Sequence, residues 1–344
     1  MLAVEKDGNS EMNGIVFSLL LVMRSSSLYT NHKTTALLFS RGRSTLEKSD
    51  DNNDVNSELV DDTPPSISSL IQRSQKVRKR LYGDTNSLPE FIHGNSRLLS
   101  YPSSTYNMEI ESCNSILRRT KKKISVQRGY CNWLIPQTIM IGQYPGMTPE
   151  TYGPTMKECN LHIKKMVQDV NISLFCCLQT EVPSQDDDIG WKDKSEVYME
   201  PEYVRKEFPR PFTRYGMIAQ SFAESQKQLT FIHNPIQDLN VPNNESLLSL
   251  LSQLLQHLED DNQNTIYLHC WGGRGRAGLI GSCLASLIFP ELSSKEILDW
   301  VQRGYDTRLG AEYMPEGLKR SPQTQQQRSF VREFVHAVNL EGGR

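Results

Sequence analysis

The sequence predicts an α/β fold, with a central, mostly parallel sheet of four to five strands flanked by helices and a disordered N-terminal extension ahead of it. Three observations lead there. Beyond residue 130, short apolar runs of buried-strand type alternate with stretches of helical period. Strands separated by helix-length segments cross over and pair in parallel. Before residue 128 no sustained period is found, and the mean hydropathy of the 344-residue chain, −0.51, is low for a chain folded throughout.

The strand candidates are residues 139–142 (IMIG), 172–178, 229–233 and 265–270, each apolar and four to seven residues long. Between the last two, Leu247, Leu248, Leu251, Leu254, Leu255 and Leu258 recur at helical spacing. A second helix follows residue 270, with Ile280, Cys283, Leu284, Leu287 and Ile288 on one face. A third opens on the capping box Ser293 to Glu296. A fourth begins near Ser321-Pro322 and buries Phe330, Val331, Phe334, Val335 and Val338. Residues 183–215 mix charge, proline and aromatics without a clear element, and read as an insertion over one sheet edge. The domain division is therefore a low-complexity extension over 1–128 and a folded domain over 129–340.

Within the extension, residues 24–46 are rich in Ser and Thr, carry Arg24, Lys33, Arg41 and Arg43, and hold no acidic residue. That composition suits an organellar transit peptide, with a plain disordered tail as the simpler reading. Basic clusters at Arg78-Lys79-Arg80 and Arg118–Lys123 read as solvated linker charge. The longest apolar run, residues 15–23, falls short of the ~20 residues that span a bilayer. A net charge of −2 gives no global pull toward nucleic acid or membrane. Seven cysteines, an odd number without metal spacing, indicate reduced thiols and a cytoplasmic setting, and neither a metal nor another cofactor is expected. The sequence leaves the oligomeric state open.

The chemistry is carried by residues 266–278, an apolar strand, a glycine-rich turn and a helix start. Gly272, Gly273 and Gly275 allow successive N–H groups to face one concavity, and the helix adds its positive N-terminus. Cys270 stands at the entrance, where the dipoles that would hold phosphate also stabilise a thiolate. Arg276 offers a planar fork for two phosphoryl oxygens. Trp271 and Arg274 are the variable positions of this anion loop. No Gly-Lys-Ser/Thr closes the turn, so it is not a nucleotide-binding loop of the Walker type.

The spacing His269-Cys270-x5-Arg276 resembles the signature of the cysteine-dependent protein tyrosine and dual-specificity phosphatases. The resemblance covers about residues 129–340 and implies their fold and a two-step, metal-free hydrolysis through a phosphocysteine. Residues 233–242 then resemble the family's general-acid loop, with Asp238 between Pro235 and Pro242; Asp260 and Asp261 are rivals by proximity. Residues 323–327 (QTQQQ) resemble the loop with which tyrosine phosphatases place the hydrolytic water, through Gln323 or Gln327. His269 would support the loop without shuttling a proton. Where the family usually carries Ser or Thr after the arginine this chain has Ala277, a departure that bears on turnover. The expected substrate is a phosphorylated protein, phosphotyrosine foremost and phosphoserine or phosphothreonine besides. The alternatives are a phosphoinositide or RNA 5′-phosphate, which Arg274 would suit, and a catalytically weak phosphate-binding adaptor, for which Ala277 argues.

Overall fold

The computed structural model describes residues 65–84, 87–101, 105–111, 123–191, 210–261 and 263–342. Helix α1 (Ile67–Tyr82) comes first and is followed by a hairpin of β1 (Thr105–Glu111) and β2 (Lys123–Gly129). Next are β3 (Cys131–Ile135), β4 (Ile139–Gly142), α2 (Met156–Gln168), β5 (Leu174–Gln179), α3 (Gly216–Phe222) and β6 (Thr230–Ile236). The chain closes with α4 (Asn244–Asp260), β7 (Ile266–His269), α5 (Arg276–Ile288), α6 (Ser294–Asp306) and α7 (Gln325–Glu341). The five-stranded sheet has the order β3-β4-β7-β5-β6, and only the β3–β4 pair is antiparallel. The four expected strands are all present; CNWLI (β3) is a fifth, at the antiparallel edge. It is buried at every position, so it shows no alternation that would mark it as a strand.

Side chains alternate between the two faces of this sheet, as the two-residue strand period requires. Ile139, Ile141, Leu174, Cys176, Ile266 and Leu268 join a core built with α1, α4, α5, α6 and α7. Met140, Phe175, Cys177 and Tyr267 point the other way, into a second core with α2, α3 and the hairpin. Helix α6 opens on the expected Ser293–Glu296 capping box. Helix α7 begins at Gln325 with Thr324 as N-cap, three residues later than expected.

The N-terminal boundary needs correction. Residues 66–84, 87–101 and the hairpin fold with the domain, whereas the sequence predicts a low-complexity, mostly disordered extension over 1–128. Helix α1 buries Leu70, Ile71, Ser74 and Val77, and Ser66 caps it by accepting from Ser69 N. Ser74 Oγ donates to Leu287 O at 2.6 Å, and Arg78 bonds Glu291 at 2.6 Å. The apolar stripe is only three residues wide among Ser, Gln, Lys and Arg, which hid its period. Lys79 and Arg80, read as linker charge, form the last helical turn, where cations suit the helix dipole. The transit-like residues, Cys113 and most of the Arg118–Lys123 cluster lie outside the described residues. So do 192–209 of the expected insertion. Its flanks meet one another through Arg214, which donates from Nε to Gln185 O at 2.8 Å and pairs with Asp188 at 2.8 Å.

Truncation therefore has two expected outcomes. A chain starting at Pro64, where the folded unit begins, keeps its turnover number. One starting at Arg128 loses α1. Uncovering three large aliphatics costs roughly 1.5–3 kcal/mol each, comparable in sum with the ~5–15 kcal/mol that holds a domain together. Soluble, cooperatively melting protein from the shorter chain would contradict this.

Two buried imidazoles set the acid limit. His162 stacks on Tyr130 at 4.1 Å, and burial, helped by Lys165, lowers its pKa to about 3. His269 is lowered likewise to about 3, by burial and then by His233. Between pH 6.5 and 3 the unfolded chain binds protons at these sites and the folded chain does not, so stability falls as pH falls. From pH 7 to pH 5 the two together cost roughly 4 kcal/mol. An unchanged urea midpoint between those pH values would refute this.

Candidate active site

Parallel pairing brings the carboxyl ends of β4, β7, β5 and β6 to one edge, where open α/β sheets place their ligands. Three of these strands deliver the chemistry. From β7 come His269 and then Cys270, which is 3% exposed. Glu181 lies just past β5 and Asp238 just past β6.

The turn after Cys270 is held from outside by its carbonyls. Trp271 O accepts from Tyr144 N at 3.0 Å. Gly273 O accepts from Arg308 Nη2 at 2.7 Å, and Gly272 O lies 3.4 Å from Arg308 Nη1. Arg274 O accepts from Ser321 Oγ at 2.9 Å. With the carbonyls drawn outward, the alternate sides of these peptides, their N–H groups, face the concavity. Arg308 is itself buried and fixed by Asn132 Oδ1 at 2.8 Å and Ile141 O at 2.9 Å. Gly273 needs to be glycine on two counts. Its φ is +66°, and a Cβ there would stand 2.1 Å from the Gly142 carbonyl carbon.

Arg276 opens α5 and is 1% exposed. Its Nη1 donates to Glu181 Oε2 at 2.8 Å and to Ile236 O at 3.0 Å. Nε and Nη2 make no hydrogen bond, although Nη2 stands 3.1 Å from Asp238 Oδ1. Burial works against this cation. Glu181, then Asp238 and Cys270, more than offset it, and the pKa is raised. A guanidinium anchored on one edge and unfilled on the other is a fork set for an oxyanion.

His269 Nε2 and the Tyr215 hydroxyl are 2.6 Å apart. Burial raises the Tyr215 pKa and lowers that of His269, so a neutral phenol and a neutral imidazole share this bond. Trp271 donates from Nε1 to Glu150 Oε1 at 2.7 Å and meets Phe212 edge-on. Arg274 Nε donates to Gln323 Oε1 at 3.1 Å.

Both glutamines reach the loop. A Cβ on Gly275 would lie 3.3 Å from Gln327 Oε1 and 3.4 Å from Gln323 Cβ. Gln327 is engaged elsewhere too: its Oε1 accepts from Thr324 N, and its Nε2 donates to Asn240 O, both at 3.1 Å. Thr324 Oγ1 donates to Leu239 O at 3.2 Å. Thr324 and Gln327 thus hold the Asp238 loop, which leaves Gln323 as the freer amide. Leu239, next to Asp238, has φ +63°, backbone strain held by these bonds.

All the expected site residues therefore meet at one place, while the rivals do not. Asp260 ends α4 and Asp261 caps the following turn, both before β7 and so at the opposite end of the strand from Cys270. Among the described residues no group of three or more His, Cys, Asp or Glu side chains could hold a metal ion, and no helix is long and apolar enough to cross a membrane. The six described cysteines are free and buried. Sequence reasoning missed Glu181 and Arg308. Glu181 follows a strand's carboxyl end, a position that could have flagged it; Arg308 lies in a stretch without signal.

Residues 215–331 match the family model of the Swiss Army Knife protein, DSP-PTPase phosphatase domain. No curated protein matches the sequence. Among solved structures, the chain resembles kinase associated phosphatase carrying a serine at its catalytic cysteine (14% identity, 69% of this chain and 98% of that one, TM-score 0.40). It also resembles a PTP-like phytase from Bdellovibrio bacteriovorus (12%, 71% and 95%, TM-score 0.39). A third is PTPMT1 in complex with PI(5)P (11%, 60% and 96%, TM-score 0.36).

Proposed function

Starting from a domain that belongs to the dual-specificity and protein tyrosine phosphatase family, we propose that it hydrolyses phosphomonoesters through a phosphocysteine on Cys270. The observation that carries this reading is the half-filled Arg276 fork beside Cys270, inside a loop whose carbonyls are tied outward. A phosphoryl group seated there takes Nε and Nη2, and Asp238 is released toward the leaving oxygen. The sulfur attacks phosphorus, the P–O bond to the leaving group breaks, and Asp238 supplies its proton. Water placed by Gln323 then attacks the phosphocysteine, with Asp238 accepting the proton, and inorganic phosphate leaves.

Phosphotyrosine in a protein is the substrate we favour. Trp271 is half-buried at the lip, pinned by Glu150 and packed on Phe212, and offers aromatic surface to a tyrosyl ring. Arg274 supports a second reading, a phosphoinositide or other polyanion, because it is half-buried at the loop and bound to a neutral amide. Specificity constants for phosphotyrosine, phosphoserine and phosphothreonine peptides, measured beside a phosphoinositide panel, separate them. At least tenfold preference for phosphotyrosine is expected; preference for a phosphoinositide would reverse the assignment.

Ala277 sits fully buried in the first turn of α5, at the position where the family resemblance places a hydroxyl that donates to the nucleophile sulfur. A hydrogen bond to an ionised group contributes roughly 1.5–3 kcal/mol, and each 1.4 kcal/mol is a factor of about ten in rate. Breakdown of the intermediate is therefore expected to limit turnover, giving a burst of leaving group on rapid mixing. Ala277→Ser should raise the steady-state rate about tenfold and leave the burst rate constant unchanged. Absence of both burst and gain would remove the idea.

A further inference from the structure

A separate cavity of about 320 Å³ lies between α6 and α7, lined also by Arg320 and Ser321 and by none of the residues 269–276 of the catalytic loop. Its charged lining is Lys295, Arg320, Arg328 and Arg332 against Asp299 alone. Four cations meet one carboxylate, and none of these cations forms an ion pair among the described residues, where ordinary surface charge is interspersed. Arg328 and Arg332 are four apart on α7, a spacing at which like charges repel and a helix is weakened. Burial first, then repulsion from Arg320 and Arg332, lower the Arg328 pKa. Of the three arginines only Arg328 has a use in the fold among the described residues, bonding Pro322 O and Gln323 O.

We propose that this cavity is a second anion site, distinct from the catalytic loop, that takes a compact phosphoryl-bearing anion. The ligand supplies the negative charge that the protein withholds, and the guanidinium forks of Arg320 and Arg332 bind its oxygens bidentately. Arg328 connects the site to the catalytic side. Its Nη1 donates to Pro322 O at 2.9 Å and Gln323 O at 2.8 Å, so an anion drawing on its guanidinium acts on the loop that presents Gln323.

Calorimetric titration of the full chain tests this, first with one equivalent of orthovanadate to fill the catalytic loop and then with inorganic phosphate. The vanadate heat reports on the catalytic loop by itself. The subsequent phosphate isotherm is expected to saturate at one site per chain. Arg320→Ser/Arg332→Ser should weaken that isotherm at least tenfold, leave the vanadate heat unchanged and not lower the melting temperature. Lys295→Ser should weaken it by a smaller factor. Arg328 is left in place because it also holds the Gln323 loop. A phosphoserine peptide binding tenfold tighter than phosphate would identify a phosphorylated chain as the source, and equal binding a free anion. No saturable phosphate heat in the vanadate-filled protein, or equal binding by the double variant, would overturn the proposal.

Discussion

Replacing Cys270 by serine is expected to leave a folded protein with less than a few per cent of the parent's activity on para-nitrophenyl phosphate. The substitution exchanges one atom at a site 3% exposed, so neither volume nor packing changes much. What changes is the nucleophile. Sulfur is the better nucleophile and the better leaving group from phosphorus, while a serine hydroxyl needs a base to activate it. No such base stands beside Cys270. His269 is committed to the Tyr215 hydroxyl and stays neutral down to about pH 3. Glu181 is bound to Arg276. The serine variant keeps the Arg276 fork and the inward amides, so it should still bind vanadate and phosphate. Activity above a few per cent would mean that another residue attacks phosphorus.

Asp238→Ala is expected to lower turnover on phosphotyrosine by a factor of about 10²–10⁴, the range for losing a general acid. Substrate binding should survive, because Arg276 keeps its anchor on Glu181 and Ile236 O without Asp238. The size of the loss should track the leaving group. An alkyl alcohol needs the proton more than para-nitrophenol does, so the variant falls furthest on phosphoserine-like esters. Asp238 is 37% exposed and Leu239 beside it is strained, so the loop has room to swing its carboxyl from Arg276 to the ester oxygen. If Asp260→Ala gives the larger loss, the acid has been misplaced; its position before β7 argues against that.

How much of this was legible in the sequence depended on whether a residue's role is local. The strand–turn–helix around Cys270 is written in adjacent residues, and with it come the loop, Arg276 and the parallel sheet. Asp238 and Gln323 could be placed because the short stretches that hold them, 233–242 and 323–327, resemble loops of the family. Glu181 and Arg308 were missed, although Glu181's place after a strand end was a signal. One acts on Arg276 from 95 residues upstream, and the other braces Gly273 from 35 residues downstream. Burial of those charges shows only in three dimensions. Gln327 was legible as a position but not in its use, since its amide turns to Thr324 and Asn240. Helix α1 was missed because a three-residue apolar stripe becomes a core face only once α4, α5 and α7 are packed against it.

The phosphorylated enzyme itself is the most direct test. Rapid acid quench of the parent protein, in which breakdown of the intermediate is expected to limit turnover, on a ³²P-labelled phosphotyrosine peptide should trap up to one phosphoryl group per chain. Peptide mapping should place it on Cys270, and the same quench of the Cys270→Ser variant should trap none. Turnover without a trappable phosphoenzyme, or label retained after Cys270→Ser, would contradict the account.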